Sequence, residues 1–205
     1  MPTGRLGNWA LIRRGIWDEN PVFRQLLGIC SALAVTNLLA NTLVMGLGLI
    51  FVTGFSCLTV SLLRTYTPFR IRMMVQVLII AVYVIVVDLT LKAYLPDISE
   101  QLGAYVGLII TNCIIMGRAE GYARSNPPWP SFIDGLAMGI GYTLVLASIA
   151  FVRELMGTGT LLGFQVLGEW WTPWIIMVMP PAGFFGLATV IWVVRGLFPE
   201  KEEKK

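Results

Sequence analysis

The sequence predicts an all-α integral membrane protein of six transmembrane helices, arranged as two inverted three-helix repeats in which the first helix of each repeat is short or broken. Three observations carry this prediction. Of 205 residues, 56% are hydrophobic and only 13% charged, with a mean hydropathy of +0.74, whereas a soluble domain carries roughly a quarter charged residues. The apolar residues are gathered into long runs with basic side chains at their ends. One six-residue glycine-containing string recurs in the second and fifth of these runs. The same composition argues against other classes. There is no histidine, which removes imidazole metal sites and the usual general base, so soluble hydrolase or oxidoreductase chemistry by this chain alone is not expected. A net charge of +3 without a basic cluster does not suit a nucleic-acid partner.

Residues 1–20 read as a cytoplasmic interfacial segment. Leu6, Trp9, Ile12 and Ile16 fall on one side of a helix with Arg5, Arg13 and Arg14 nearby, the pattern of a helix lying on a membrane surface. No continuous apolar core follows the first basic residues, so a cleavable signal is not expected. A crossing helix needs about 20 apolar residues, and four segments qualify: Asn41 to Leu63, Ile71 to Leu95, Phe132 to Leu155 and Trp174 to Val194. Two others are short. Asn20-Pro21 and the polar turn around Asn37 and Asn41 leave about 15 residues of helix between them, and 17 residues separate Glu100 from Arg118. At 1.5 Å per residue these reach roughly 22–26 Å, less than a hydrocarbon core of about 30 Å. Residues 21–96 therefore form the first three-helix repeat, 97–196 the second, and 197–205 a charged cytoplasmic tail.

Lysine and arginine placement sets the orientation. With the N-terminus inside, the inner side receives Arg5, Arg13, Arg14, Arg24, Arg64, Arg70, Arg72, Arg118, Arg124, Arg195, Lys201, Lys204 and Lys205, and the outer side only Lys92 and Arg153, 13 against 2. Both termini are expected in the cytoplasm. The string Leu43-Val44-Met45-Gly46-Leu47-Gly48 matches Leu136-Ala137-Met138-Gly139-Ile140-Gly141, and each of these two spans ends in an arginine, Arg64 and Arg153. Three helices per half is an odd number, so the second half enters from the opposite face.

Paired short or interrupted segments in an inverted repeat point to the functional centre. Here each short span carries a cysteine, Cys30 in Leu27-Gly28-Ile29-Cys30-Ser31 and Cys113 in Thr111-Asn112-Cys113-Ile114. A cysteine in a membrane span is ordinarily a small apolar packing residue, and that reading stands beside a ligand reading. If the two are ligands, the chain offers two thiolates where a [2Fe–2S] cluster needs four, so a partner supplies the rest. A structural zinc shared in the same way is the alternative metal. Arg118 is expected to offset the charge of an anionic centre in lipid.

Asp88 lies deep in the third span, where a carboxylate is a functional candidate by default; Lys92 at i+4 makes a helix-face ion pair the plainer reading. Asp134 opens the fifth span after Pro127-Pro128-Trp129-Pro130-Ser131, as a first-turn capping acid or as part of a cation path. Glu120 is expected to pair with Arg118 or to support the broken helix. Cys57 has no counterpart in the second half and reads as packing. Glycines 46, 48, 54, 139 and 141 permit close helix contact. Trp170, Trp171 and Trp174 fit an interfacial belt, and Pro180-Pro181 predicts a kink in the sixth span.

The runs around Cys30 and Cys113, the Asn-Cys-x-x-x-Gly-Arg-Ala-Glu string at 112–120 and Phe132-Ile133-Asp134-Gly135 resemble a paired family of bacterial membrane subunits. These subunits belong to the Na⁺-translocating NADH:quinone oxidoreductase and to the related Rnf complex. The resemblance covers about residues 20–195. Ser31 to Thr36, Val86-Val87-Asp88 and Lys92-Ala93-Tyr94 are similar to the D-type branch of the sodium pump rather than its Rnf counterpart, the E subunit of that complex. The resemblance implies a multi-pass subunit of the bacterial inner membrane, paired with a homologous subunit of opposite topology (E) and with the other subunits of a translocase. A [2Fe–2S] cluster is held between the two, and its ligands here are Cys30 and Cys113. Electrons pass from NADH and flavins, bound by other subunits, toward ubiquinone, coupled to Na⁺ export; this chain alone holds no complete active site. The rivals are an Rnf subunit, coupling ferredoxin to NAD, and a stand-alone secondary transporter, which also uses inverted repeats and broken helices.

Overall fold

A computed structural model describes residues 22, 27–94, 103, 107–161, 164–165, 174 and 179–197. The interfacial segment 1–20, the tail beyond residue 197 and the Trp170-Trp171 pair lie outside the described residues. In chain order the elements are α1 (Ile29–Val35), α2 (Leu39–Leu63), α3 (Arg72–Tyr94) and α4 (Cys113–Arg118), which runs on into a π-helical turn, Ala119–Ala123. Then come α5 (Pro128–Gly157), strands β1 (Thr160–Leu161) and β2 (Phe164–Gln165), and α6 (Pro180–Leu197). The two strands form a minimal antiparallel ladder, Thr160 opposite Gln165. Otherwise the regular structure among the described residues is helical.

Among the described residues three helices, α2, α3 and α5, are long and apolar enough to cross a membrane. At 1.5 Å per residue they extend about 37, 35 and 45 Å. The helices that bear Cys30 and Cys113 are far shorter, seven residues in α1 and six in α4. Thr111 and Asn112 separate α4 from the helical residues 107–110, so the fourth apolar segment is broken at its cysteine. Helix α6 has 18 residues and begins at Pro180, whereas the sequence pattern placed a span from Trp174; residues 175–178 lie outside the described set. The expected kink at Pro180-Pro181 is corrected: the two prolines open α6, where their missing N–H groups have no carbonyl to meet.

Helices α2 and α5 form the centre, and the matched strings are where they cross. A Cβ on Gly139 would stand 2.9 Å from the Ile50 Cα, one on Gly135 3.0 Å from the Thr53 carbonyl oxygen, and one on Gly46 2.3 Å from Thr143 Cγ2. Only glycine lets the two backbones approach this closely. Hydroxyls inside these spans satisfy themselves on the preceding turn, as in Thr53 to the Leu49 carbonyl and Thr143 to the Gly139 carbonyl, which keeps polar groups paired away from water. Helix α3 packs on the outside through Gln76, Ile80 and Val84, and leaves Leu78, Val82, Ile85 and Leu89 more than half exposed. A helix apolar on its outward face is solvated by lipid or a partner, not water.

The end of each helix of the central pair reaches back to the turn ahead of the other. At the end of α2, Ser61 Oγ and Arg64 donate to the Asn126 carbonyl at 2.7 and 3.0 Å, just ahead of α5. At the end of α5, buried Arg153 donates to Thr36 Oγ1 and to the Met179 carbonyl. Its neighbour Glu154 accepts from the Leu39 N–H at 2.6 Å. Leu38 gives α2 no side-chain cap, so a carboxylate from α5 takes that place, and its charge suits a helix N-terminus.

Candidate functional site: two cysteines on facing short helices

Helix α1 starts at Gly28, whose φ of +83° and ψ of 16° lie in the left-handed region that glycine reaches without penalty. That turn aims the Gly28 N–H away from its own helix and onto the sulfur of Cys113, 2.9 Å away. The Gly28 carbonyl accepts from Tyr142 Oη at 2.9 Å, Ser31 Oγ at 3.2 Å and the Ala32 N–H at 3.1 Å. Ser31 and Tyr142 share a 2.5 Å hydrogen bond. Asn112 donates from Nδ2 to Ser31 Oγ, and its Oδ1 caps α4 by accepting from the Ile114 N–H. Ser31, Asn112 and Tyr142 are fully buried. One closed set of hydrogen bonds therefore fixes the starts of both cysteine helices against α5.

The two thiols sit at the edge of this set. Cys30 is exposed, Cys113 is half-buried, and both are free. Among the described residues no three cysteine or acidic side chains stand together so as to hold a metal. The chain by itself thus offers two free sulfurs, one on an exposed residue and one on a half-buried residue that receives a backbone N–H. That donor set suits half of a [2Fe–2S] site: four thiolates are needed, and N–H···S bonds are among the contacts that tune such clusters. A structural zinc shared across the same two subunits would draw on the same two thiolates.

Asp134 is not in a capping position. Helix α5 begins at Pro128, so Asp134 falls in the second turn, buried, and accepts from Arg118 through both oxygens, at 2.9 Å from Nε and 2.5 Å from Nη2. This bidentate pair ties the end of α4 to α5. Glu120, expected to pair with Arg118 or to support the broken helix, meets Arg72 at 2.8 Å, Arg124 at i+4 at 3.1 Å and Gln76 Nε2 at 3.0 Å, so it braces the π-helical turn against α3. Asp88 and Lys92 form the helix-face pair at 2.6 Å. Cys57 is buried against the Gly135 backbone, as a packing residue is. Sequence reasoning missed Tyr142 and Glu154 altogether; a lone tyrosine or a second charge beside Arg153 in an apolar run was the signal available for each.

Residues 8–191 match the model of the Rnf-Nqr subunit family, described as a membrane protein. Over 195 residues the chain is 50% identical to the D subunit of the Na(+)-translocating NADH-quinone reductase of Shewanella sp. (strain W3-18-1), with 93% of each chain covered. It is 51% identical over 193 residues to the protein of the same name from Photobacterium profundum, with 92% of each covered. Those relatives are, by name, parts of an oxidoreductase complex. With the family model spanning most of its length and its relatives matched nearly end to end, the chain belongs to the Rnf-Nqr family of membrane protein subunits.

Proposed function

We propose that this chain is the D-type membrane subunit of a Na⁺-translocating NADH:quinone reductase, and that Cys30 and Cys113 are its half of a [2Fe–2S] site shared with a homologous subunit. The observation that carries the reading is the 2.9 Å bond from the Gly28 N–H to Cys113 Sγ, 85 residues apart in sequence, which joins the starts of the two short cysteine helices. The names of the half-identical relatives supply sodium, NADH and quinone. When bound, such a cluster supplies a one-electron carrier. The work of this chain is to hold two thiolates at fixed spacing, to direct one N–H at sulfur, and to keep water off the inner side with Tyr142, Ile114 and Leu146, all fully buried. Flavins, NADH and quinone are handled by other subunits, so no complete active site lies here.

The six-span inverted repeat, with halves 21–96 and 97–196, belongs to the same proposal. Two observations favour it: the matched strings are the crossing surface of α2 and α5, and the end of each reaches the loop ahead of the other. The second half then enters from the opposite face, both termini lie in the cytoplasm, and the inner membrane is the location. Asp88 and Asp134 each face a cation of this chain, and neither is proposed as a sodium carrier. The test is iron analysis of the purified complex. Cys30→Ala and Cys113→Ala each remove iron and quinone reduction while Cys57→Ala removes neither. Unchanged iron in the first two defeats the reading, and activity that requires ferredoxin rather than quinone moves the chain to the Rnf branch.

A further inference from the structure

Where α2 ends and α3 begins, a pocket opens between the two helices and the turn that follows the π-helix. Part of its lining is cationic. Arg64, Arg72 and Arg124 all line it, and the Glu120 carboxylate pairs with Arg72 at 2.8 Å and Arg124 at 3.1 Å. Three guanidiniums against one carboxylate leave two positive charges. Arg64 directs one nitrogen to the Asn126 carbonyl, and Arg72 stacks 4.1 Å over the Phe69 ring. Beside the arginines the lining is apolar, with Val60, Leu63 and Ile79. Gln76, 4% exposed, also lines it. Its Nε2 donates to Glu120, while its Oε1 is buried with no donor. A buried amide oxygen without a donor is costly, and the residue that carries it lines the pocket.

These features ask for a single ligand with an anionic group, an apolar tail beneath it and a hydrogen-bond donor beside it. We propose that this pocket binds one phospholipid with an anionic phosphate and a glycerol headgroup. The phosphate sits among Arg64, Arg72 and Arg124, an acyl chain runs along Val60, Leu63 and Ile79, and a headgroup hydroxyl donates to Gln76 Oε1. The position fits, because α2 and α3 are both membrane-spanning in length and the pocket is at their shared end, where phosphates of a bilayer lie. Basic pockets between spanning helices bind such headgroups. A choline lipid offers neither net negative charge nor a hydroxyl, and free phosphate cannot use the apolar wall.

The experiment uses the assembled, detergent-purified and delipidated complex, with phosphatidylglycerol, phosphatidylcholine and inorganic phosphate as separate probes, read by retained mass in native mass spectrometry. Phosphatidylglycerol is retained at least tenfold more tightly than phosphatidylcholine, and phosphate at matched concentration does not displace it. In the double variant Arg64→Gln/Arg124→Gln, which removes two positive charges and leaves the Arg72–Glu120 pair, affinity falls about thirtyfold, at the usual contribution of each basic residue near a lipid surface. Leu63→Glu, which sets a like charge against the acyl wall, gives a loss of the same order should the double variant fail to assemble. Equal retention of the two lipids, displacement by phosphate, undiminished binding in either variant, or no lipid retained because a neighbouring subunit fills the pocket would each overturn the assignment.

Discussion

Replacing Gly28 with alanine adds a single methyl group at the point where the two cysteine helices meet. The residue holds φ at +83°, and a left-handed conformation costs a non-glycine residue about 1–2 kcal/mol. The new Cβ would also lie 2.6 Å from Ile114 Cδ1 and 2.7 Å from Tyr142 Cε2, where carbon atoms prefer about 3.5–4.0 Å. Neither neighbour has room to swing, since Ile114 and Tyr142 are both fully buried, and overpacking of this kind costs about 1–3 kcal/mol. Together the two effects destabilise the site by about 2–5 kcal/mol. The structure relieves the clash by moving α1 away from α4, which takes the Gly28 N–H off the sulfur. Gly121→Ala is the control, because nothing lies within 4 Å of its added Cβ and alanine is the better helix former. The assay is thermal unfolding and iron content of the solubilised complex, with both expected to fall in Gly28→Ala and to hold in Gly121→Ala. Wild-type stability and iron in Gly28→Ala would refute the idea that this turn sets the cysteine spacing.

Other expectations follow from the same geometry. Tyr142→Phe removes the hydroxyl shared by Ser31 and the Gly28 carbonyl, costing about 1–3 kcal/mol for buried groups left short of a partner; Cys113 in the iron-free protein should then alkylate faster than in the parent. Asp134→Asn deprives a buried guanidinium of its carboxylate and should cost about 3–5 kcal/mol, seen as a lower melting point and loss of assembled complex. Asp88→Asn breaks an i,i+4 pair whose lysine side chain is 60% exposed, worth about 0.3–0.5 kcal/mol, so stability and sodium-coupled quinone reduction should remain near the parent's.

What the sequence made legible is what depends on composition and local spacing. Long apolar runs gave α2, α3 and α5, because length and hydropathy suffice to define a spanning helix. The recurrence of Leu43 to Gly48 at Leu136 to Gly141 was visible, and the facing glycines of α2 and α5 give it a physical meaning: these strings are the shared contact surface. The short cysteine segments were visible because polar residues and glycine interrupt them. What escaped was pairing across long separations. Asp134 looked like a helix cap because its partner, Arg118, sits 16 residues away on another helix, and no local pattern joins them. Glu154 caps α2 from 115 residues away, replacing a Ser or Asp that the sequence lacks at position 38. Tyr142 is one tyrosine among six, and only its burial beside Gly28 distinguishes it.

The idea that Cys30 and Cys113 form half of a shared iron–sulfur site is tested most directly by electron paramagnetic resonance of the reduced, assembled complex, compared with each single cysteine variant. The parent should show a [2Fe–2S] signal that Cys30→Ala and Cys113→Ala each abolish and that Cys57→Ala leaves intact. A parent-like signal surviving in either of the first two variants would contradict it.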